Sequence, residues 1–190
     1  MRCRALGRVP SVTRLWTGKG DDGTSGLYFG GREAKSSARF DALGTIDEAQ
    51  ASIGLARAEA ASRPELDAML VAVERDLWVL MAEVATDDAN RTKLEAGASL
   101  VTAEMVASVE AAIEQVAAKF ELPSEFVVPG QDRGSALLDV ARAVVRRAER
   151  RAAPVAVEGS FVIPYLNRLS SLLWTLARWV EGEPLRSREA

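Results

Sequence analysis

From Phe40 onward the apolar positions of this chain recur at intervals of three and four, the period of helices that bury one face. Ala42, Ile46, Ala49, Ile53 and Ala56 predict a first helix reaching about Ala61, where Arg63-Pro64 ends it. Leu66, Met69, Leu70, Val73, Leu77, Leu80, Met81 and Val84 predict a second. Thr86 to Ser99 is acidic, holds Asn90 and Gly97, and is expected to be a loop. Thr102 is placed to cap a third helix carrying Met105, Val109, Ile113, Val116 and Phe120. Pro123, Pro129 and Gly130 break the pattern, and Asp132 or Ser135 can cap a fourth helix that runs until Pro154 and Gly159. Pro164 suits the first turn of a fifth, with Leu166, Leu169, Leu172, Leu173, Leu176 and Val180 on one face. No strand pair and no internal repeat stand out. The expected fold is an all-α antiparallel bundle, preceded by a polar, Gly-rich stretch over residues 15–40 without clear periodicity.

The fourth helix departs from simple amphipathicity. In ALLDVARAVVRRAERRAAPVAV, from Ala136 to Val157, Arg142, Arg146, Glu149 and Ala153 lie one above another at about 3.6 residues per turn. Leu137, Leu138, Ala141, Val144, Val145 and Ala148 line the faces beside and behind them. Burying such a stripe in a bundle is costly unless each charge finds a partner. A polyphosphate would serve, because the planar Arg fork suits phosphate oxygens. TGKGDDGTSG, from Thr17 to Gly26, fails the Walker pattern, yet Gly18, Gly20 and Gly23 permit a tight backbone that aims amides at an anion. Lys19, Thr24 and Ser25 would add donors, and Lys35 and Arg39 follow closely. The bland alternatives are a surface turn and solvated charge. Asp47, beside Glu48, is either a first-turn acid or the partner of an Arg on the fourth helix. Phe126, in FVVPG, is either a plug for the core or a ligand contact, and Asn167 either satisfies local backbone or faces a ligand.

Composition narrows the chemistry. The chain has 190 residues, enough for one domain with a real core, with 48% hydrophobic and 27% charged residues. A net charge of −3 attracts no nucleic acid globally, and Glu149 interrupts the one Arg-rich patch, so a nucleic-acid-binding module is a poor fit. There is no histidine and one cysteine, Cys3, which excludes His general bases, the usual zinc sites and an intrachain disulfide. No window approaches the roughly 18 apolar residues of a membrane span. The Arg-rich start is expected to be a flexible extension; a mitochondrial leader is the lesser alternative to a cytoplasmic protein.

Taken in order, WTGKGDDGTSG, LGTIDEAQASIGLARA, FVVPG, ARAVVRRAERR and YLNRLSSLLWTLARWV resemble the PduO-type ATP:cob(I)alamin adenosyltransferases, from about Arg14 to Gly182. The resemblance implies a ferritin-like five-helix bundle with an ordered nucleotide-binding loop, assembled as a homotrimer with active sites between subunits. It divides the chain into an extension 1–13, one domain 14–182 and a tail 183–190. It implies transfer of the 5′-deoxyadenosyl group of ATP, supplied with Mg2+, to cob(I)alamin, giving adenosylcobalamin and triphosphate. Thr17, Gly18, Lys19, Gly20, Ser25 and Lys35 would bind ATP together with Arg146, Arg147, Glu149, Arg150 and Asn167. Asp47 resembles the acid that pairs with Arg142 across the interface beneath the corrin, and Phe126 the aromatic that displaces the lower cobalt ligand. With Arg146, these three form the set implied to be catalytic. A reductase and an adenosylcobalamin-dependent enzyme are the implied partners. Leu43, Ala49 and Gln131 depart from the family's usual residues, and Leu43 and Gln131 bear on corrin fit and efficiency. The competing expectation is a non-catalytic ATP or cobalamin carrier or sensor of the same fold.

Overall fold

The computed structural model describes residues 16–183 and 185–188. Five long helices dominate: α1 (Ala38–Ala58), α2 (Pro64–Val84), α3 (Ala103–Ala117), α4 (Arg133–Ala152) and α5 (Val162–Glu181). Each boundary has a local cause. Ser37 accepts a hydrogen bond from the Phe40 amide at the start of α1, and Thr102 from the Met105 amide at the start of α3. Asp132, rather than Ser135, caps α4 by accepting from the Ser135 amide at 3.0 Å. Pro64 opens α2, where the missing N–H costs nothing. Gly182, at φ 74°, stops α5 in a conformation that favours glycine.

The five expected helices are present, although α3 ends at Ala117, short of Phe120. Ala42, Ile46, Ala49, Ile53 and Ala56 of α1, Leu66, Leu70, Val73, Leu77 and Leu80 of α2, and the leucines of α5 form one core. Laterally, α4 packs between α1 and α5, α2 flanks α1, and α3 flanks α5. Because Ala42, Ala49, Ala141, Ala148, Ala152 and Ala177 are all buried, α1, α4 and α5 can approach closely.

Three expectations need correction. The segment before α1 contains a short antiparallel hairpin, β1 (Thr24–Gly26) with β2 (Arg32–Ala34), paired Thr24 to Ala34 and Gly26 to Arg32. Its strands are too short to show a period-two pattern in sequence. The loop after α2 includes a 3-10 turn, Asp88–Lys93. Finally, the Arg stripe of α4 is not buried in the bundle: Leu138, Ala141, Val145, Ala148 and Ala152 take the inward face, while Arg146 and Arg150 stay exposed. The extension 1–13, with Cys3, lies outside the described residues.

Buried polar groups fasten the loops to this frame. Glu83, almost fully buried on α2, accepts from Arg91 at 2.8 Å, the Val101 amide at 2.8 Å and the Ser160 hydroxyl at 2.6 Å. One carboxylate thereby holds the 88–101 loop and the α4–α5 connection. Arg39 caps the other side of that end, donating to the Val84 and Thr86 carbonyls at 2.8 Å each and pairing with Glu33 at 3.1 Å. It is a structural residue and not solvated charge. The Tyr165 hydroxyl, inside the core, donates to Asp76 at 2.8 Å. Burial raises the Asp76 carboxyl above its ordinary 3.8, only partly opposed by that hydrogen bond; burial and the neighbouring Asp76 charge raise the Tyr165 hydroxyl as well.

The sign of the Asp76 effect gives a test. A carboxyl raised by folding contributes stability that is fully present below its unfolded value and is lost as pH rises through the folded value. Asp76→Asn keeps an acceptor for Tyr165 and removes that loss. Its stability relative to the parent is therefore expected to rise between about pH 3.5 and about pH 7. Urea unfolding at the two pH values checks this; a difference that is flat or falls with pH would show that Asp76 ionises in the fold without penalty.

Candidate functional site

The Gly-rich loop is built by the residues around it. Gly18 and Gly23 sit at φ 71° and 79°, where a side chain would be strained. The Asp22 carboxylate accepts from both the amide and the hydroxyl of Thr24, which holds it below the ordinary carboxylate value. Arg32 reaches across from β2 to the Thr24 hydroxyl at 2.9 Å and the Lys19 carbonyl at 2.5 Å. Lys35 donates to the Gly20 carbonyl at 2.8 Å, and a Cβ on Gly20 would lie 3.0 Å from its Nζ. Thr17 accepts from the Lys19 amide at 3.3 Å, and Ser25 is half-buried opposite Glu33 in the hairpin. Lys19 and Lys35 are exposed. An open groove of about 710 Å³ runs from Lys35 along α1 past Phe40, Asp41, Thr45 and Glu48.

On the opposite side of the α1–α4 contact, α4 and α5 enclose a hollow of about 310 Å³. Arg146, Glu149, Arg150, Ala153, Ile163 and Asn167 line it. Three members of the stripe drawn from helical geometry meet here, one turn apart. Asn167 does more than satisfy local backbone, since its Nδ2 donates to Glu149 at 3.0 Å. Its Oδ1 in turn accepts from Arg168 at 2.8 Å. Arg150 donates to the Arg146 carbonyl at 2.9 Å. Two cationic heads over one carboxylate make a surface suited to an anion. Arg147 points elsewhere and pairs with Glu48 of α1, as Arg151 pairs with Asp41 at 3.2 Å.

The fourth member of the stripe, Arg142, lines a different cavity of about 580 Å³, together with Phe126, Asp139, Trp174 and Arg178. Phe126 is 88% exposed at its rim, so it is no plug for this chain's own core. Its loop is held by the chain end: the Val128 amide donates to the Leu185 carbonyl at 2.8 Å and the Ser187 amide to the Phe126 carbonyl at 2.9 Å. The cavity wall carries a chain of charges whose pairing the sequence pattern does not reveal. Arg178, its side chain 2% exposed, donates to Asp139 at 2.6 Å and faces Glu181 at 3.0 Å. Asp139 also lies 3.4 Å from Arg142 Nε. The signals were present, Asp139 three residues before Arg142 and Arg178 four after Trp174, but an isolated helix pattern does not say which charges turn inward.

Two sets of the expected residues are not brought together within one chain. Among the described residues, no hydrogen bond or ion pair joins loop residues 17–26 to Arg146, Glu149, Arg150 or Asn167. Asp47 is exposed on α1, and the carboxylate within ion-pair reach of Arg142 is Asp139. No group of three or more Cys, Asp or Glu side chains gathers as a metal site among the described residues, and no described helix is long and apolar enough to cross a membrane.

This geometry defines a helical-bundle protein with an anion-suited hollow one turn of α4 away from a larger cavity that is part aromatic and part cationic. The sequence matches the family described as cobalamin adenosyltransferase over residues 15–180, and the chain belongs to that family. It is 38% identical over 172 residues to a corrinoid adenosyltransferase of Mycobacterium bovis, covering 88% of each chain. It is 35% identical over 176 residues to one of Citrobacter freundii, covering 90% of this chain and 97% of that one. With the corrinoid adenosyltransferase PduO of Salmonella typhimurium it shares 34% identity over 167 residues, but spans only 48% of that longer protein. The fold is that of a variant PduO-type ATP:corrinoid adenosyltransferase from Lactobacillus reuteri complexed with cobalamin and ATP. The TM-score is 0.82 at 22% identity, over 92% of this chain and 99% of the other.

The buried charges under the cavity yield a stability prediction. Arg178→Met would leave Asp139 and Glu181 without their shared cation, at a cost of about 3–5 kcal/mol. Denaturant unfolding at fixed protein concentration reads this directly. A loss under about 1 kcal/mol would mean that the two carboxylates find other partners or water.

Proposed function

We propose that the protein is an ATP:corrinoid adenosyltransferase, transferring the 5′-deoxyadenosyl group of ATP to cob(I)alamin. The observation that carries this reading is the placement of two hollows on one helix. Arg142 faces one and Arg146 the other, about 6 Å of helix rise apart, so a triphosphate and a large planar ligand would meet edge to edge. In the reaction the electron pair of Co(I) forms a bond to the ribose C5′ as the bond from C5′ to the triphosphate oxygen breaks. The triphosphate leaves with that bonding pair. No proton need move, so a chain without histidine suffices.

The residues then have distinct tasks. Arg146 and Arg150 meet phosphate oxygens and stabilise the charge that builds on the departing triphosphate, while Glu149 and Asn167 fix their geometry. Thr17, Gly18, Lys19, Gly20, Ser25 and Lys35 close over the same nucleotide from a neighbouring copy. Arg147 contributes there once it exchanges Glu48 for phosphate. Mg2+ arrives with the nucleotide, since the described side chains gather no cage for it. Phe126 covers the lower face of the corrin, so that cobalt loses its axial donor and accepts an electron more easily. Asp47 of one copy pairs with Arg142 of the next beneath the ring. The assembly is a homotrimer, and a reductase and a consumer of adenosylcobalamin are its partners. A cytoplasmic location fits a reaction that needs a strongly reduced cobalt.

Reduced cobalamin mixed with the protein and Mg-ATP is expected to give the visible spectrum of a cobalt–carbon bond, with one triphosphate released per corrinoid. Binding of both ligands with neither product would leave a carrier instead.

Two substitutions test the assignments. Arg146→Ala is expected to weaken ATP binding by one to two powers of ten, since a charge-assisted bond contributes on the order of 1.5–3 kcal/mol. Arg147→Ala should do less, because its side chain points about 100° away and is already paired with Glu48. Equal losses in calorimetric titration would contradict the stripe. Phe126→Ala should spare ATP binding and slow the reaction that starts from cob(II)alamin. An undiminished four-coordinate cobalt signal in the variant would remove that role from Phe126.

A further inference from the structure

The charge chain beneath the larger cavity is unequal along its length. Arg178 and Glu181 are sealed, with side-chain exposures of 2% and 0%; Asp139, Arg142 and Arg178 all line the cavity, and of these Arg142 alone is substantially exposed, at 34%. Asp139 joins the two parts. Its Oδ2 takes the Arg178 Nη2 hydrogen at 2.6 Å, and Oδ1 lies 3.4 Å from Arg142 Nε. Ser135, one turn earlier on α4, stands 3.4 Å from the same Arg178 nitrogen, so the anchor is shared by α4 and α5. Arg142 Nε is itself buried and makes no aligned hydrogen bond. Its position is therefore set by the Asp139 charge and by packing.

We propose that Asp139 is a positioning residue for Arg142, holding its inner nitrogen so that the outer guanidinium edge faces the corrinoid and the neighbouring copy; this rests on the adenosyltransferase reading. An arginine side chain has many rotamers, and a fixed carboxylate against Nε removes most of them before the ligand arrives. Arg178, itself held by Glu181, serves by donating to Asp139 Oδ2, which prevents that carboxylate from rotating away. Asp139 forms part of the cavity wall, but its effect is exerted through Arg142.

The test compares the parent, Asp139→Asn, Asp139→Glu, Arg142→Ala and the double variant Asp139→Asn/Arg142→Ala. Asn keeps an acceptor for Arg178 but no charge for Arg142; Glu keeps the charge and displaces it, and remains informative if the Asn variant folds poorly. Asp139→Asn is expected to lower cobalamin-dependent turnover at least tenfold with ATP affinity within twofold of the parent. Asp139→Glu should fall between the two. In the Arg142→Ala background, Asp139→Asn should cost no more than a further twofold, because the residue acts through Arg142. Full additivity in the double variant, or unchanged turnover in Asp139→Asn, would overturn the proposal. A readout independent of activity is the order of the Arg142 Nε–H vector by nitrogen relaxation. It should fall by about 0.2 or more in Asp139→Asn. If the parent forms no cobalt–carbon bond, the adenosyltransferase reading fails and this measurement alone decides: an unchanged Arg142 order refutes positioning by Asp139.

Discussion

The structure turns on the narrow apolar seam of α4. Leu138, Ala141, Val145, Ala148 and Ala152 are buried on the face of α4 that packs between α1 and α5. Every arginine of the helix is thereby turned away from the core, each at an angle fixed by its position in the turn. Arg147 and Arg151 fall toward α1 and find Glu48 and Asp41. Arg142 and Arg146 fall on the other edge, where the bundle offers too few anions. Two ligand-shaped hollows result from one packing constraint.

Within one copy the charges along this edge are unevenly matched. Asp139 is shared between Arg178 and Arg142, and Glu181 is committed to Arg178. Arg146 is exposed, Asp47 is exposed on α1, and Phe126 presents apolar surface at the cavity. Charges left unpaired beside exposed apolar groups are the usual marks of a surface meant to be covered. Under the proposed function, a second copy presenting its Gly-rich loop and Asp47 would supply the missing partners, and a triphosphate the remaining anionic charge.

How much of this was legible in the sequence depended on the range of the forces involved. Helix faces follow from local period, so Ile46, Leu77 and Leu173 fall inward as their spacing predicts. Caps are equally local, and Ser or Asp before a periodic run marks them. The β1–β2 hairpin was missed because three-residue strands carry no period. Its hold depends on Arg32, whose partners are eight and thirteen residues back. The burial of the Arg stripe was misjudged because pattern gives the angle between side chains, and not which angle faces the core. Asp139 and Glu83, and the burial of Arg178, are not legible in the sequence for the related reason that buried ion pairs join helices far apart in sequence. The family resemblance located Arg146 and Asn167, and the shared hollow gives that pairing a physical basis.

The central claim is that loop and Arg stripe form one site only between copies. The direct measurement is complementation between two variants that are each inactive, Lys19→Ala in the loop and Arg146→Ala on α4. Unfolded together and refolded as mixed assemblies, they should regain adenosyl transfer, since roughly a quarter of the interfaces in a random closed ring would join an intact loop to an intact stripe. Activity no higher than that of either variant alone, in assemblies verified to be mixed, would place both halves of the site within a single chain and contradict the account.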